Sequence, residues 1–176
     1  MSRLRHGIRY LAAASCLPLI TACPGPPVTR DTDDTSPPEL SLTVTAAKDV
    51  DSDLSTVSFG TDVELVMPGG SLLVKAEDPG GVSVVELWMT TTVTCPVGDD
   101  LVEQQGPGIA TAPVARAEGE VTDTQAPSSL TVSFDINTLE LQAGCTYAFD
   151  VWGTAANAAT TPASTTSPAS TLTLRS

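Results

Sequence analysis

The sequence predicts an all-β protein, an antiparallel β-sandwich of about seven to nine strands. Threonine, serine, alanine, valine and proline dominate a chain of 176 residues, in which aromatic residues make up only 4% and charged residues 16%. Such a composition favours strands and turns over helices. Short runs with apolar side chains at alternate positions are separated by Gly, Pro and Asp turns. No segment long enough to form a helix shows helical periodicity of its apolar residues.

Residues 1–22 precede this domain and have the layout of a secretory signal peptide. Arginines supply a positive amino-terminal region, and Tyr10 to Ile20 form a short, mostly apolar stretch. The stretch ends in Leu19-Ile20-Thr21-Ala22-Cys23, which resembles the lipobox of bacterial lipoproteins. The resemblance implies cleavage after Ala22, thioether attachment of diacylglycerol to Cys23 and acylation of the new amino terminus.

A lipidated cysteine makes the lipid bilayer a partner of the protein. Two or three acyl chains anchor a chain stably, because each buried CH₂ contributes about 0.8 kcal/mol. Pro24 stands where the best-known inner-membrane retention signal has Asp, so we expect an extracytoplasmic location, on the outer membrane if the cell has two membranes. The alternative is an ordinary secretory signal in which Cys23 is incidental.

Cleavage also limits the chemistry of the mature chain. The whole chain has 8 basic and 21 acidic residues and a formal charge of −13, and removal of residues 1–22 takes away three arginines and the only histidine, His6. Five basic residues then face 21 acidic ones, a side-chain charge of −16. Catalysis by Ser-His-Asp or Cys-His groups and zinc or copper sites with His ligands are excluded. We therefore expect no enzyme activity, no cofactor and, because no basic patch is present, no nucleic acid partner.

Residues 23–38 have the composition of a tether. Five prolines and three aspartates occur between Pro24 and Pro38. Proline and like charge keep a segment extended and solvated, so we expect a disordered tether between the membrane and the domain.

The domain is expected to occupy residues 39–176. Its alternating or apolar runs are, in chain order, Leu40–Val44, Val63–Met67, Ser71–Glu77, Val82–Thr94 (the longest apolar run), Leu130–Ile136, Tyr147–Val151 and Leu172–Leu174. The stretch from Pro96 to Pro127 would be unusually long for a structureless loop, so we expect at least one further strand there. Leu101–Val102 and Ile109–Val114 are the candidates for short edge strands.

The stretch from Leu141 to Val151 resembles the F-strand region of fibronectin type III and other bacterial immunoglobulin-like domains. Leu141, Gly144 and Tyr147 have the spacing of the tyrosine corner, in which the tyrosine hydroxyl bonds back to the preceding backbone. Asp78–Leu87 is similar to the B–C hairpin of the same modules. The resemblance implies an immunoglobulin-like, fibronectin-III-like sandwich and carries almost no information about a ligand.

In such a sandwich strands C and F are antiparallel neighbours, here Val82–Cys95 and Cys145–Ala155. The end of C then lies beside the start of F, so Cys95 and Cys145 can pair directly. This disulfide would close about fifty residues and stabilise by about 4 kcal/mol. A reactive dithiol is the poorer interpretation, because nothing basic or catalytic accompanies the two residues.

The same register places Trp88 opposite Trp152, because Trp88 precedes Cys95 by as many residues as Trp152 follows Cys145. Both indoles would project from the outer face of the sheet, with Glu86 and Asp150 near them. One interpretation is a stabilising cross-strand pair, partly covered by the 96–127 segment. The other is an aromatic and carboxylate patch that binds a glycan or a protein.

A calcium site is a weaker alternative. Asp49, Asp51 and Asp53 match the start of an EF-hand loop, but that loop requires Gly at its sixth and Glu at its twelfth position, where this chain has Leu54 and Gly60. We expect a solvated acidic turn, with no metal.

Together these patterns predict a membrane-anchored lipoprotein of the cell envelope that acts as a non-catalytic binding module for a protein or a glycan. The alternative is a structural spacer or subunit of an envelope assembly with no ligand of its own.

Overall fold

The structure, a computed structural model, is all-β. It describes residues 22–46, 58–65, 70–97, 100–105, 112–136, 139 and 141–175. These residues form thirteen strands and no α-helix. The strands are β1 (Ala22–Pro24), β2 (Pro27–Thr29), β3 (Glu39–Ala46), β4 (Val63–Leu65), β5 (Gly70–Glu77), β6 (Val82–Val97), β7 (Asp100–Gln105), β8 (Ala115–Glu118), β9 (Gln125–Pro127), β10 (Ser129–Asp135), β11 (Thr146–Asn157), β12 (Ser164–Thr166) and β13 (Ser170–Arg175).

Two sheets make up the sandwich-like body. One has the strand order β1-β10-β5-β3, and the other has the order β4-β13-β11-β6-β7, with β12 beside β11 and β8 beside β6. The strand pairs are antiparallel, except that β4 runs parallel to β13. A separate two-stranded ribbon joins β2 and β9.

The core lies between the two sheets because alternate side chains of each strand point inward. Along β11 every second residue is buried, and Leu42, Leu72, Leu87 and Phe149 are fully buried. Burying one such side chain contributes about 1.5–3 kcal/mol relative to leaving it exposed. The other faces of β6 and β11 are left for polar and aromatic side chains.

The segment between β6 and β10 contains three strands, which confirms the expectation of at least one. Leu101–Val102 lies in β7. Of the other candidate, Ile109–Val114, residues 109–111 lie outside the described residues; the Val114 N–H donates to the Leu87 carbonyl of β6, and β8 begins at the next residue, Ala115. The total of thirteen exceeds the expected seven to nine because it includes several strands of only three or four residues.

The structure corrects the prediction of a solvated tether at residues 23–38. β1 pairs with β10 and β2 pairs with β9. Beyond β2, the Arg30 Nε atom donates to the carbonyl oxygen of Ala158, and the fully buried Asn157 amide donates to the carbonyl oxygens of Asp34 (3.1 Å) and Ser36 (2.9 Å). Proline removes an N–H donor but leaves its carbonyl as an acceptor, so a proline-rich segment can still dock through its backbone.

Some predicted features lie outside the described residues, namely the signal peptide up to residue 21 and the aspartates at 49, 51 and 53. Within the described ranges no helical segment has the length and apolar character needed to span a bilayer. No group of three or more metal-binding side chains occurs in the same ranges.

Candidate functional site

A disulfide closes the junction between β6 and β11. Cys95 and Cys145 are bonded, with their Cα atoms 4.3 Å apart, which confirms the predicted pair. Thr94 lies opposite Thr146 in the adjoining ladder, so the register continues without interruption from the cysteines toward the middle of the strands. Trp88 lies opposite Trp152, as this register predicts.

The two tryptophans form a near-parallel pair on the outer face of the larger sheet. Their ring centroids are 6.1 Å apart and their planes differ by 10°. This separation is within the range of offset aromatic pairs and exceeds that of a direct face-to-face stack. Leu87, Met89 and Val151, which alternate with them, are buried in the core, whereas both indoles are only half-buried. The pair therefore presents aromatic surface to solvent.

Glu86 holds the Trp88 indole in place. The indole Nε1 atom donates to Glu86 Oε2 (3.2 Å) and to Thr154 Oγ1 (3.3 Å), and the Thr154 hydroxyl donates to the same Glu86 oxygen (2.8 Å). On the other carboxylate oxygen, Arg116 Nη1 lies at 2.8 Å. Arg116 also pairs with Glu118 at 2.7 Å. These half-exposed ion pairs contribute little stability, on the order of 0–1 kcal/mol, but they fix the orientation of the ring.

Asp150 flanks the second indole. The Thr171 hydroxyl on β13 donates to Asp150 Oδ1 at 2.7 Å. Within the described part of the chain this is the only hydrogen bond to the Asp150 side chain. The structure thus brings together all four residues predicted for a binding face, namely Trp88, Trp152, Glu86 and Asp150.

Sequence reasoning missed two participants in this network. Thr154 lies opposite Glu86 in the same register that pairs the indoles, so that register could have identified it. Arg116 lies opposite Glu86 across the β6–β8 pairing, and no strand was assigned at its position. With β8 in place, the outer face carries one basic side chain among three acidic ones.

The predicted tyrosine-corner residues lie at the other side of the sheet. The Tyr147 side chain is buried, and its hydroxyl accepts a hydrogen bond from the backbone N–H of Gln142. Gly144 has a φ of 82°, a left-handed conformation that favours glycine, and Leu141 packs against the core. These residues stabilise the start of β11. They take no part in the outer face that carries Trp88, Trp152, Glu86 and Asp150, which we call the tryptophan face.

A second polar region lies where the amino-terminal segment covers the turn after β5. A cavity of about 910 Å³ is lined there by Asp31, Asp34, Glu39, Glu77 and Asp78, among others. Asp78 is almost fully buried, and its Oδ1 accepts the N–H of Gly80 at 2.7 Å. Burial raises the pKa of Asp78, and the neighbouring Asp34 carboxyl raises it further. Sequence reasoning did not anticipate this cluster, because it placed the aspartates of the segment in solvent.

Comparison with models of protein families and with curated proteins found no match.

Proposed function

We propose that the protein is an extracytoplasmic, lipid-anchored binding module that binds a protein or a glycan and catalyses no reaction. The observation that carries this proposal is the pair of half-buried indoles on the outer face of the sheet, of which Trp88 is held by hydrogen bonds to Glu86 and Thr154. Aromatic rings fixed in one orientation lose little conformational entropy when a partner binds, so they are effective contact residues.

We propose an immunoglobulin-like, fibronectin-III-like sandwich as the carrier of this face. Three features support it. β6 and β11 are antiparallel neighbours over most of their length, the Tyr147 hydroxyl bonds to the backbone five residues earlier, and the two sheets share one core.

The lipid anchor is proposed on the lipobox-like sequence that ends in Cys23. The intact mass of the purified protein tests this anchor. We expect the mass of the chain from Cys23 plus two or three acyl chains, and loss of membrane association in Cys23→Ser. A wild-type protein that lacks acyl mass and partitions into buffer would contradict the anchor.

The proposal that the protein catalyses no reaction rests on the acid–base groups of the tryptophan face. A general acid or base must be able to exchange its proton with a substrate. Glu86 is committed to Arg116, Thr154 and Trp88, and the mature chain has no histidine.

Binding can be tested by co-sedimentation of the mature-length protein with Cys23→Ser, which has no lipid anchor, with purified peptidoglycan sacculi and, separately, with membranes stripped of this protein. Cys23→Ser is the background of every protein compared. We expect wild type to co-sediment with one of them, and a Trp88→Ala/Trp152→Ala variant to lose about tenfold or more in affinity. Thr173→Ala, a neighbouring change on the same outer face, is the matched control and should bind as wild type does.

The second candidate function is a structural spacer in an envelope assembly. It is favoured by the Trp88 indole N–H, whose hydrogen bonds are made within the protein, as expected of a purely stabilising pair. Equal co-sedimentation of the wild type and the double variant would favour the spacer over the binding module.

A further inference from the structure

The tryptophan face is built from a short sequence that occurs twice. Glu86-Leu87-Trp88-Met89-Thr90 on β6 and Asp150-Val151-Trp152-Gly153-Thr154 on β11 share the order acid, aliphatic, tryptophan, any residue, threonine. The inner positions of both copies point into the core, so the acid, the indole and the hydroxyl of each copy lie on the outer face.

The pairing of the strands relates the two copies by a local twofold axis. Glu86 lies opposite Thr154, Trp88 opposite Trp152, and Thr90 opposite Asp150. Because the strands are antiparallel, the axis is perpendicular to the sheet and passes between the indoles. The face consequently contains two subsites with the same kinds of group, each with one indole, the carboxylate of its own strand and the threonine hydroxyl of the opposite strand.

The spacing of these groups suits a ligand built from small, rigid, repeating units. Same-face neighbours along a strand are about 7 Å apart, and opposed side chains are about 5 Å apart. The indole centroids are separated by 6.1 Å. Each subsite is therefore comparable in size to one sugar ring, which can contact the exposed part of an indole while its hydroxyls reach a carboxylate and a threonine hydroxyl.

The charge of the outer face limits the class of ligand that can bind there. Among the described side chains near the indoles, Glu86, Glu118 and Asp150 are acidic and Arg116 is basic. The mature chain carries a side-chain charge of −16. An anionic polymer would be repelled, whereas the hydroxyl groups of a neutral sugar donate to carboxylate oxygens.

The two subsites differ in how much of their hydrogen-bonding capacity is already used. Both oxygens of Glu86 are engaged, by Arg116 on one side and by Trp88 and Thr154 on the other. Asp150 accepts one hydrogen bond, at Oδ1, from within the described residues, which leaves Oδ2 for a ligand. The Glu86 side therefore positions the aromatic platform, and the Asp150 side supplies the acceptor.

We propose that the Trp88/Trp152 face binds a neutral oligosaccharide of repeating units, one unit on each indole, with Asp150 accepting a sugar hydroxyl. This inference rests on the proposed binding function and names its ligand class.

Titration of the mature protein with neutral oligosaccharides tests the inference. The probes are β-1,4-linked N-acetylglucosamine and β-1,4- and α-1,4-linked glucose, each as monomer, dimer and tetramer, with polygalacturonate as the anionic comparison. Isothermal titration calorimetry and tryptophan fluorescence are the readouts. For at least one series we expect the dimer to bind about tenfold or more tighter than the monomer, because it occupies two subsites, and no binding of polygalacturonate.

Single substitutions test which side chains form each subsite. Asp150→Asn should weaken dimer binding about tenfold, whereas Asp123→Asn, a matched change at an exposed loop residue, should have no effect. Trp152→Ala should bring the affinity for the dimer down to that for the monomer. Asp150 lies on the outer face of the sheet, so we expect Asp150→Asn to fold. This variant therefore tests the proposal even if Trp152→Ala does not fold.

Two failures are distinguishable. If no neutral probe binds while sacculi or membranes bind in a manner that depends on both tryptophans, the inference of a neutral oligosaccharide is overturned and the binding function stands; binding to membranes but not to sacculi then points to a protein partner. If binding to envelope material does not depend on the tryptophans, both proposals are overturned.

Discussion

Removal of the disulfide is the perturbation whose magnitude follows most directly from the structure. Cys95 and Cys145 are separated by 50 residues in the sequence. In the chain-entropy account, a closed loop of this length removes about 14 cal/mol/K from the unfolded chain, which is about 4 kcal/mol at 25 °C. A Cys95→Ala/Cys145→Ala variant should therefore lose about 4 kcal/mol of unfolding free energy. Alanine is chosen because it leaves no new hydroxyl at the buried Cys145 position.

Urea denaturation followed by tryptophan fluorescence measures this loss. For a domain of this size, 4 kcal/mol corresponds to a fall in Tm of about 8–16 °C. The dependence of stability on urea should also steepen in the variant, because the unfolded chain without the cross-link exposes more surface. Wild type reduced with dithiothreitol is the matched control and should coincide with the variant.

The same experiment separates stability from register. β6 and β11 are paired from Thr94 and Thr146 through the tryptophans to the far ends of both strands. Their hydrogen bonds and the burial of one face hold this register without the disulfide. Near-ultraviolet circular dichroism of the stacked indoles should thus persist in the folded variant. Equal unfolding free energies for the variant and oxidised wild type would refute the loop-closure reasoning.

Three further outcomes concern other parts of the fold. Tyr147→Phe deletes the hydroxyl that accepts a backbone N–H from the preceding loop, and should cost about 1 kcal/mol in urea denaturation with no effect on binding at the tryptophan face. Gly81→Ala should destabilise by about 2 kcal/mol or more, measured as a lower Tm, because Gly81 has a φ of 103° and a Cβ there would lie 2.4 Å from the Ala126 Cβ. Stability should fall as the pH rises above the ordinary aspartate pKa: the folded-state pKa of Asp78 is raised by burial and by Asp34, so the folded protein holds a proton that the unfolded chain has released. Asp78→Asn should flatten this fall, seen as a smaller change in Tm between pH 4 and pH 7, and an unchanged slope would contradict it.

The centre of the molecule could be predicted from the sequence because one buried face fixes a strand's register. Alternation through Phe149 and Val151 assigned the inward side of β11, and a shift of one residue would have buried Trp152 instead. Two cysteines at matching distances from two tryptophans then fixed how β6 and β11 pair. Those residues form the centre of the candidate site, so most of the site could be predicted from the sequence.

The flank of the site could not be predicted in the same way. β8 consists of Ala115, Arg116, Ala117 and Glu118, and only Ala117 is well buried. A pattern with one buried residue specifies neither a strand nor its register, so β8 is defined by its pairing with β6. The cation that fixes Glu86 therefore comes from a segment whose structure depends on tertiary contacts.

The amino-terminal segment shows a different limit. Proline and aspartate content predicts solvation because it describes side chains, whereas this segment docks largely through its backbone N–H and carbonyl groups, together with the Arg30 guanidinium. The donors come from distant positions, since Asn157 reaches the carbonyls of Asp34 and Ser36 from the end of β11. If Cys23 carries the proposed anchor, the first residues after the lipid are already paired with β10, and little free chain separates the sheet from the membrane. Burial and the neighbouring Asp34 raise the pKa of Asp78, so a rise in pH that ionises Asp78 should weaken the docking of the amino-terminal segment on the sandwich.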